Sequence, residues 1–167
     1  MSQTIRTLVV GCGNMGSSHA HAYAKLDGFA LAGLVDRDAA RRDALAAELG
    51  GPPRFADLEA ALEAARPDAA AVCTWPDSHA AIARRLLEAG CHVFCEKPLA
   101  TTVAEAEALV ASARRLGRAL VVGYILRHHP AWIRFIEIAR TLGKPLVMRM
   151  NLNQQSVGHM WDVHKSL

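Results

Sequence analysis

The chain has 167 residues, of which 51% are hydrophobic, 21% charged and 5% aromatic; this excludes intrinsic disorder and suits one compact domain or a domain with part of a second. A formal charge of +3, from 19 Lys and Arg against 16 Asp and Glu, is too small and too dispersed for a nucleic-acid or anionic-membrane footprint. No apolar run approaches the roughly 18 residues of a membrane span, so the expected partner is a small molecule, with no nucleic acid and no membrane.

At the N-terminus, Met-Ser-Gln-Thr leads directly into a strand-like run at Ile5 to Val10, without a charged-then-apolar leader, which points to the cytoplasm. Further β-rich runs at Ala30 to Val35, Ala69 to Cys73, His92 to Cys95 and Ala119 to Gly123 alternate with longer helical patterns. These runs are almost continuously apolar, as strands covered on both faces of a parallel sheet require. Asp38 is placed to cap a helix ending at Gly50, Asp57 to cap the next, and Thr102 with Glu105 makes a capping box. In the helix that follows, Val103, Ala106, Val110 and Ala113 repeat at helical spacing, and Arg114, Arg115 and Arg118 complement the dipole at its C-terminal end. After Gly123 the pattern changes. Tyr124 to His129 reads as a connection, Pro130 to Thr141 as a helix, and Pro145 to Asn153 as a half-exposed strand that alternates Leu146, Met148 and Met150 against Val147, Arg149 and Asn151. The four cysteines show no Cys-x-x-Cys spacing, and Cys91 and Cys95, about 13 Å apart along a strand, cannot bridge each other. Reduced thiols agree with a cytoplasmic location.

The most informative segment is Gly11-Cys12-Gly13-Asn14-Met15-Gly16, which ends the first strand and opens a helix. In that context Gly11 allows the tight turn, Gly13 lets the backbone approach a pyrophosphate, and Gly16 lets helix and strand pack closely. The N–H groups of Asn14, Met15 and Gly16 then favour an anion without any basic side chain. Asp36 stands about 20 positions further on, at the end of the next strand, where a carboxylate hydrogen-bonds the adenosine ribose. The expected fold is therefore α/β, a Rossmann-like doubly wound parallel sheet over residues 1–123. The expected cofactor is NAD, because a 2′-phosphate would sit against the Asp36 carboxylate; the adjacent Arg37 guanidinium keeps NADP possible.

A second address is His92-Val93-Phe94-Cys95-Glu96-Lys97-Pro98, which places Glu96 and Lys97 just past a strand's carboxyl end, where open α/β sheets bind ligands. Glu-Lys-Pro together with the glycine loop resembles the Gfo/Idh/MocA (glucose-fructose oxidoreductase / inositol dehydrogenase) family. Asp36, Thr74-Trp75-Pro76-Asp77-Ser78-His79 and Gly123-Tyr124-Ile125-Leu126-Arg127 follow the order of that family, so the resemblance covers essentially the whole chain. It implies a nicotinamide-dependent dehydrogenase acting on a sugar, polyol or related compound. It also implies that Lys97 lies beside the nicotinamide and the reacting hydroxyl as the catalytic group, that the Lys97-Pro98 bond is often cis, and that Thr74, Trp75, Pro76, His79, Glu96 and Arg127 lie near the cofactor. Lys97, Arg127 and Trp161 are the residues expected to reach substrate. No pair of His or Cys stands at metal-ligand spacing, so no metal is expected.

The resemblance further implies a second α/β domain that binds substrate and often dimerises. Residues 124–167 are thus expected to be the connection and the beginning of that domain, truncated here, with homo-oligomers formed through its sheet when it is complete. The family's Asp-x-x-x-His catalytic element does not occur before Leu167. That leaves a competing class for this chain, a non-catalytic dinucleotide-binding or sensor module.

Overall fold

The structure, a computed structural model, describes residues 4–149. Helices begin where a side chain or a proline can deal with unpaired N–H groups. Asp38 accepts from the N–H groups of Ala40 and Arg41 ahead of helix α2 (Ala39–Glu48), and Asp57 accepts from that of Ala60 ahead of α3 (Leu58–Ala65). Thr102 accepts from the N–H of Glu105 ahead of α5 (Val103–Leu116), and the Glu105 carboxylate, hydrogen-bonded by Thr102 and Thr101, is held below its usual titration range. Pro76 opens α4 (Pro76–Glu88), as proline at a first helical position costs no hydrogen bond. The remaining helix of this part, α1 (Asn14–Lys25), starts from Gly13 with no side-chain cap, so its first N–H groups stay available to a ligand.

Strands β1 (Ile5–Val10), β2 (Phe29–Val35), β3 (Arg54–Phe55), β4 (Ala69–Val72), β5 (His92–Cys95) and β6 (Leu120–Val122) form one sheet in the order β3-β2-β1-β4-β5-β6, parallel throughout. Successive side chains of β1 divide between two cores. Leu8 and Val10 join Val72, Ala83, Leu86, Leu87 and Leu109 on one face, while Val9 joins Ala20, Leu34, Leu45, Ala46 and Ala71 on the other. Helices α3, α4 and α5 therefore cover one side and α1 and α2 the other, which is why the strands are apolar at nearly every position. The doubly wound Rossmann-like sheet is as expected.

Several local expectations change. β3 was not anticipated from the sequence: it is two residues long, follows Pro52-Pro53, and exists only through its pairing with Leu34 and Val35. In α5 the buried face is centred on Leu109 and Ala113, and Val103 and Val110 stand at its exposed rim. Residues 145–149 carry no strand pairing, in contrast to the strand expected from Pro145 to Asn153; alternation alone makes no strand without a neighbour to bond, and residues 150–153 lie outside the described part. The chain divides into two compact units, the first running to Ile125 and the second starting at Leu126. The second contains most of a 3-10 turn, Ile125–His128, and helix α6 (Pro130–Thr141), whose bounds are those read from the sequence. No described helix is long and apolar enough to cross a membrane.

Candidate cofactor and active site

The register of the sheet brings the sequence-selected residues of the first unit to one edge. Val10 lies opposite both Val35 and Val72, Val72 opposite Cys95, and Cys95 opposite Val122, so five loops leave the sheet at the same level. Each loop continues the ladder by one bond: the N–H groups of Gly11, Asp36, Cys73, Glu96 and Gly123 donate to the carbonyls of Val35, Phe55, Val10, Val72 and Cys95. The strand order reverses between β1 and β4. Ligands of open α/β sheets bind in the crevice at such a point, outside the carboxyl ends of the strands.

On the β1 side of the crevice lies the glycine loop. Gly11 has φ +95°, and a Cβ there would stand 2.7 Å from the Cys73 carbonyl oxygen; at Gly16 it would fall 1.7 Å from the carbonyl oxygen of Gly11. Both positions therefore require glycine, one for its backbone angle and one for close packing. Gly13 differs, since nothing lies within 4 Å of where its Cβ would be. This open space beside the uncapped start of α1 is the room a pyrophosphate needs. Met15, exposed at the same helix start, adds an apolar surface.

Asp36 is anchored rather than free. Its Oδ2 accepts from the N–H of Cys12 at 2.7 Å and its Oδ1 from the N–H of Asp38 at 2.9 Å, tying the glycine loop to the turn between β2 and α2. A carboxylate has about four acceptor positions, so both oxygens can still receive ribose hydroxyls. Arg42, which sequence reasoning missed, donates from Nη1 to the Asp36 carbonyl at 2.8 Å and stiffens the same turn. Arg37 is exposed.

Across the switch point, β4 ends at Thr74-Trp75-Pro76. Ser78 Oγ lies 2.7 Å from Thr74 Oγ1, and Trp75 is 57% exposed. His79 was expected near the cofactor, but its ring is buried at 1% exposure, with Nδ1 2.6 Å from the Pro98 carbonyl oxygen and Nε2 3.0 Å from that of Thr74. Both nitrogens face backbone carbonyls, so the ring links the β4 and β5 loops and turns no polar atom toward the crevice. The Lys97-Pro98 bond is cis, and Lys97 is exposed.

Glu96 was expected near the cofactor; its side chain turns into the molecule. The residue is 5% exposed, and Oε1 lies 3.0 Å from Nε2 of His19, a residue of α1 whose ring packs on Phe94 at 4.7 Å between centroids. Oε2 is 3.4 Å from the N–H of Lys97. Gly123 leaves the space: a Cβ there would stand 3.1 Å from Oε2. His19 also escaped sequence reasoning; its only signal was its place three residues after Gly16 on the face of α1 that meets the sheet. Cys12, Cys73 and Cys95 end or follow the same strands. Burial, seconded by the Asp36 carboxylate, pushes the Cys12 thiol up to about 12; burial and Glu96 push Cys95 up to about 12 and raise Cys73 as well. All three are protonated thiols at neutral pH. Arg127 belongs to the 3-10 turn and the second unit, and Trp161 lies outside the described residues.

A six-stranded parallel sheet with an uncapped glycine turn, an anchored carboxylate after β2 and a lysine after β5 defines a dinucleotide-binding α/β domain. Residues 5–124 match the Gfo/Idh/MocA family model, described as an oxidoreductase family with an NAD-binding Rossmann fold. The chain belongs to this family, and its first unit is the NAD-binding Rossmann domain. It is 38% identical over 127 residues to a UDP-N-acetylglucosamine 3-dehydrogenase of Acidithiobacillus ferrooxidans, covering 76% of this chain and 39% of that protein. It is 31% identical over 159 residues to an inositol 2-dehydrogenase of Paracoccus denitrificans, covering 93% and 47% respectively. Among solved structures it resembles GenD2 from gentamicin A biosynthesis in complex with NAD, with a TM-score of 0.78 and 31% identity over 83% of this chain and 40% of that one. The chain thus spans less than half the length of these relatives.

Proposed function

We propose that the chain is the cofactor-binding part of an NAD-dependent dehydrogenase that transfers hydride between nicotinamide and a secondary alcohol or carbonyl of a sugar, polyol or related compound. One observation carries this reading: the glycine loop, Asp36 and Lys97 share one edge of the sheet around its switch point. In this reading the N–H groups of Asn14, Met15 and Gly16 hold the pyrophosphate, and Asp36 holds the adenosine ribose. Thr74, Trp75 and Pro76 wall the crevice on the β4 side. The bound cofactor supplies the hydride acceptor or donor. Lys97 Nζ donates a hydrogen bond to the substrate oxygen and holds or releases a proton there. Anchoring of Asp36 by two N–H groups supports NAD over NADP, because a carboxylate that cannot turn aside repels a 2′-phosphate. The UDP-N-acetylglucosamine and inositol dehydrogenases act on polyhydroxylated compounds, which supports that substrate class. Residues 124–167 are the connection to and the beginning of a substrate domain, with Arg127 a substrate-binding residue and homo-oligomers formed through that domain. All four cysteines are free, which supports a reducing, cytoplasmic location.

Calorimetric titration with NAD and NADP tests the cofactor reading. NAD should bind more tightly than NADP, and Asp36→Ala should weaken NAD about tenfold or more; a folded chain that binds neither dinucleotide overturns it. Exchange of labelled hydride with candidate polyols, reduced about a hundredfold or more by Lys97→Met in the whole protein, tests the chemistry. Tight NAD binding without any exchange would favour a sensor module instead.

A further inference from the structure

Lys97 handles the proton in the proposed dehydrogenase, and a role for the residues that surround it rests on that proposed function. Its two chain neighbours are both held by buried or part-buried histidines from different helices. His79 of α4 contacts the carbonyl of Pro98, and His19 of α1 contacts the carboxylate of Glu96. The second contact bears directly on charge. Glu96 is the carboxylate adjacent to Lys97 in the chain, and left to itself it is a ready ion-pair partner for the lysine ammonium.

The fold prevents that pairing. Glu96 points into the molecule, 5% exposed, with Oε1 on His19 Nε2 at 3.0 Å and its carboxyl group packed where Gly123 has no side chain. Its link to Lys97 is through the backbone N–H alone, at 3.4 Å. Among the described residues, no hydrogen bond or ion pair holds Lys97 Nζ. A buried carboxylate is tolerated only with a partner, and His19 is that partner. We propose that His19 is a positioning residue: by holding Glu96 inside, it leaves the Lys97 ammonium unpaired and available to a substrate oxygen. Without His19, Glu96 must find another cation, and Lys97 is the nearest along the chain.

The test reads Lys97 directly in the full chain. Lysines are reductively dimethylated with 13C-formaldehyde, which keeps their charge, and the Lys97 methyl signal is assigned by its loss in Lys97→Arg. In His19→Phe, which keeps a ring against Phe94 but no donor, the Lys97 signal should move as the carboxylate turns to it. It should return to the wild-type position in His19→Phe/Glu96→Gln, where no carboxylate remains. His19→Gln, whose amide still donates, should stay near wild type. A merely structural role for His19 would lower the melting temperature and leave the Lys97 signal in place, and that result overturns the proposal; so does a shift that persists in the double variant. If His19→Phe does not fold, Glu96→Gln alone decides: a wild-type Lys97 signal is expected, and a displaced one shows that Glu96 was already the partner of Lys97 and overturns the proposal. The signal is read without cofactor, so calorimetric titration of the unmodified chain with NAD judges the dehydrogenase reading separately.

Discussion

Helices α4 and α6 are 13 and 12 residues long, both begin at proline, and both carry an apolar face. Yet α4 buries His79, Ala80, Ala83, Leu86 and Leu87, whereas α6 buries none of its residues and leaves Ile133, Phe135, Ile136 and Ile138 between 42% and 48% exposed. The difference lies in what each helix meets. A parallel sheet offers α4 a wide apolar surface from β4 and β5, and burial there turns a pattern into stability. An amphipathic sequence states only that a face requires cover. For α6, capped by His129 and bounded as its sequence foretold, helix formation and burial are separate matters.

Truncating one apolar residue in each helix separates covered from uncovered faces. Leu86→Ala should cost about 2–5 kcal/mol of stability in urea unfolding, because its site is fully buried, and Ile136→Ala no more than about 1 kcal/mol. Equal losses would mean that α6 is covered as tightly as α4. Next in size, Gly16→Ala should destabilise the first unit by about 1–3 kcal/mol and abolish detectable NAD binding by calorimetry, since the new methyl must displace the carbonyl of Gly11.

The thiols give a pH test that is confined to the first unit, where Cys12 and Cys95 lie. Burial raises both from the ordinary 9.0 to about 12, so the folded state retains protons that the unfolded chain releases. Their contribution is complete below about pH 9 and declines as pH rises toward 12, at up to about 1.4 kcal/mol per pH unit for each thiol. Unfolding midpoints measured between pH 8 and 11 should show this slope and show less of it in Cys95→Ala. The smallest expected effect is at a helix start: Thr102→Ala should cost about 1 kcal/mol, because the N–H of Glu105 loses its acceptor.

Much of the first unit was legible in the sequence. The bounds of β1 and β5 match those read from apolar runs, and Asp38, Asp57 and Thr102 cap the helices they were expected to cap. These features depend on residues within a few positions of one another. β3 was missed because two residues make no pattern, and the strand expected from Pro145 failed over 145–149 because a ladder needs a second chain segment.

The candidate site divides in the same way. Gly11, Gly13, Gly16 and Asp36 could be assigned from spacing, because a turn and a strand end place their backbone locally. Side-chain partners could not. Asp36 and Cys12 are 24 positions apart, His79 and Pro98 are 19 apart, and His19 and Glu96 are 77 apart, and each pair meets only once the sheet has been assembled. Spacing alone places a glycine turn, a carboxylate and a lysine at strand ends, since local geometry and apolar periodicity act over a few residues. Assembly of the sheet and its helices turns Glu96 to His19 instead of Lys97 and makes His79 a brace, because the partner of a buried polar group is chosen by whichever distant element closes over it.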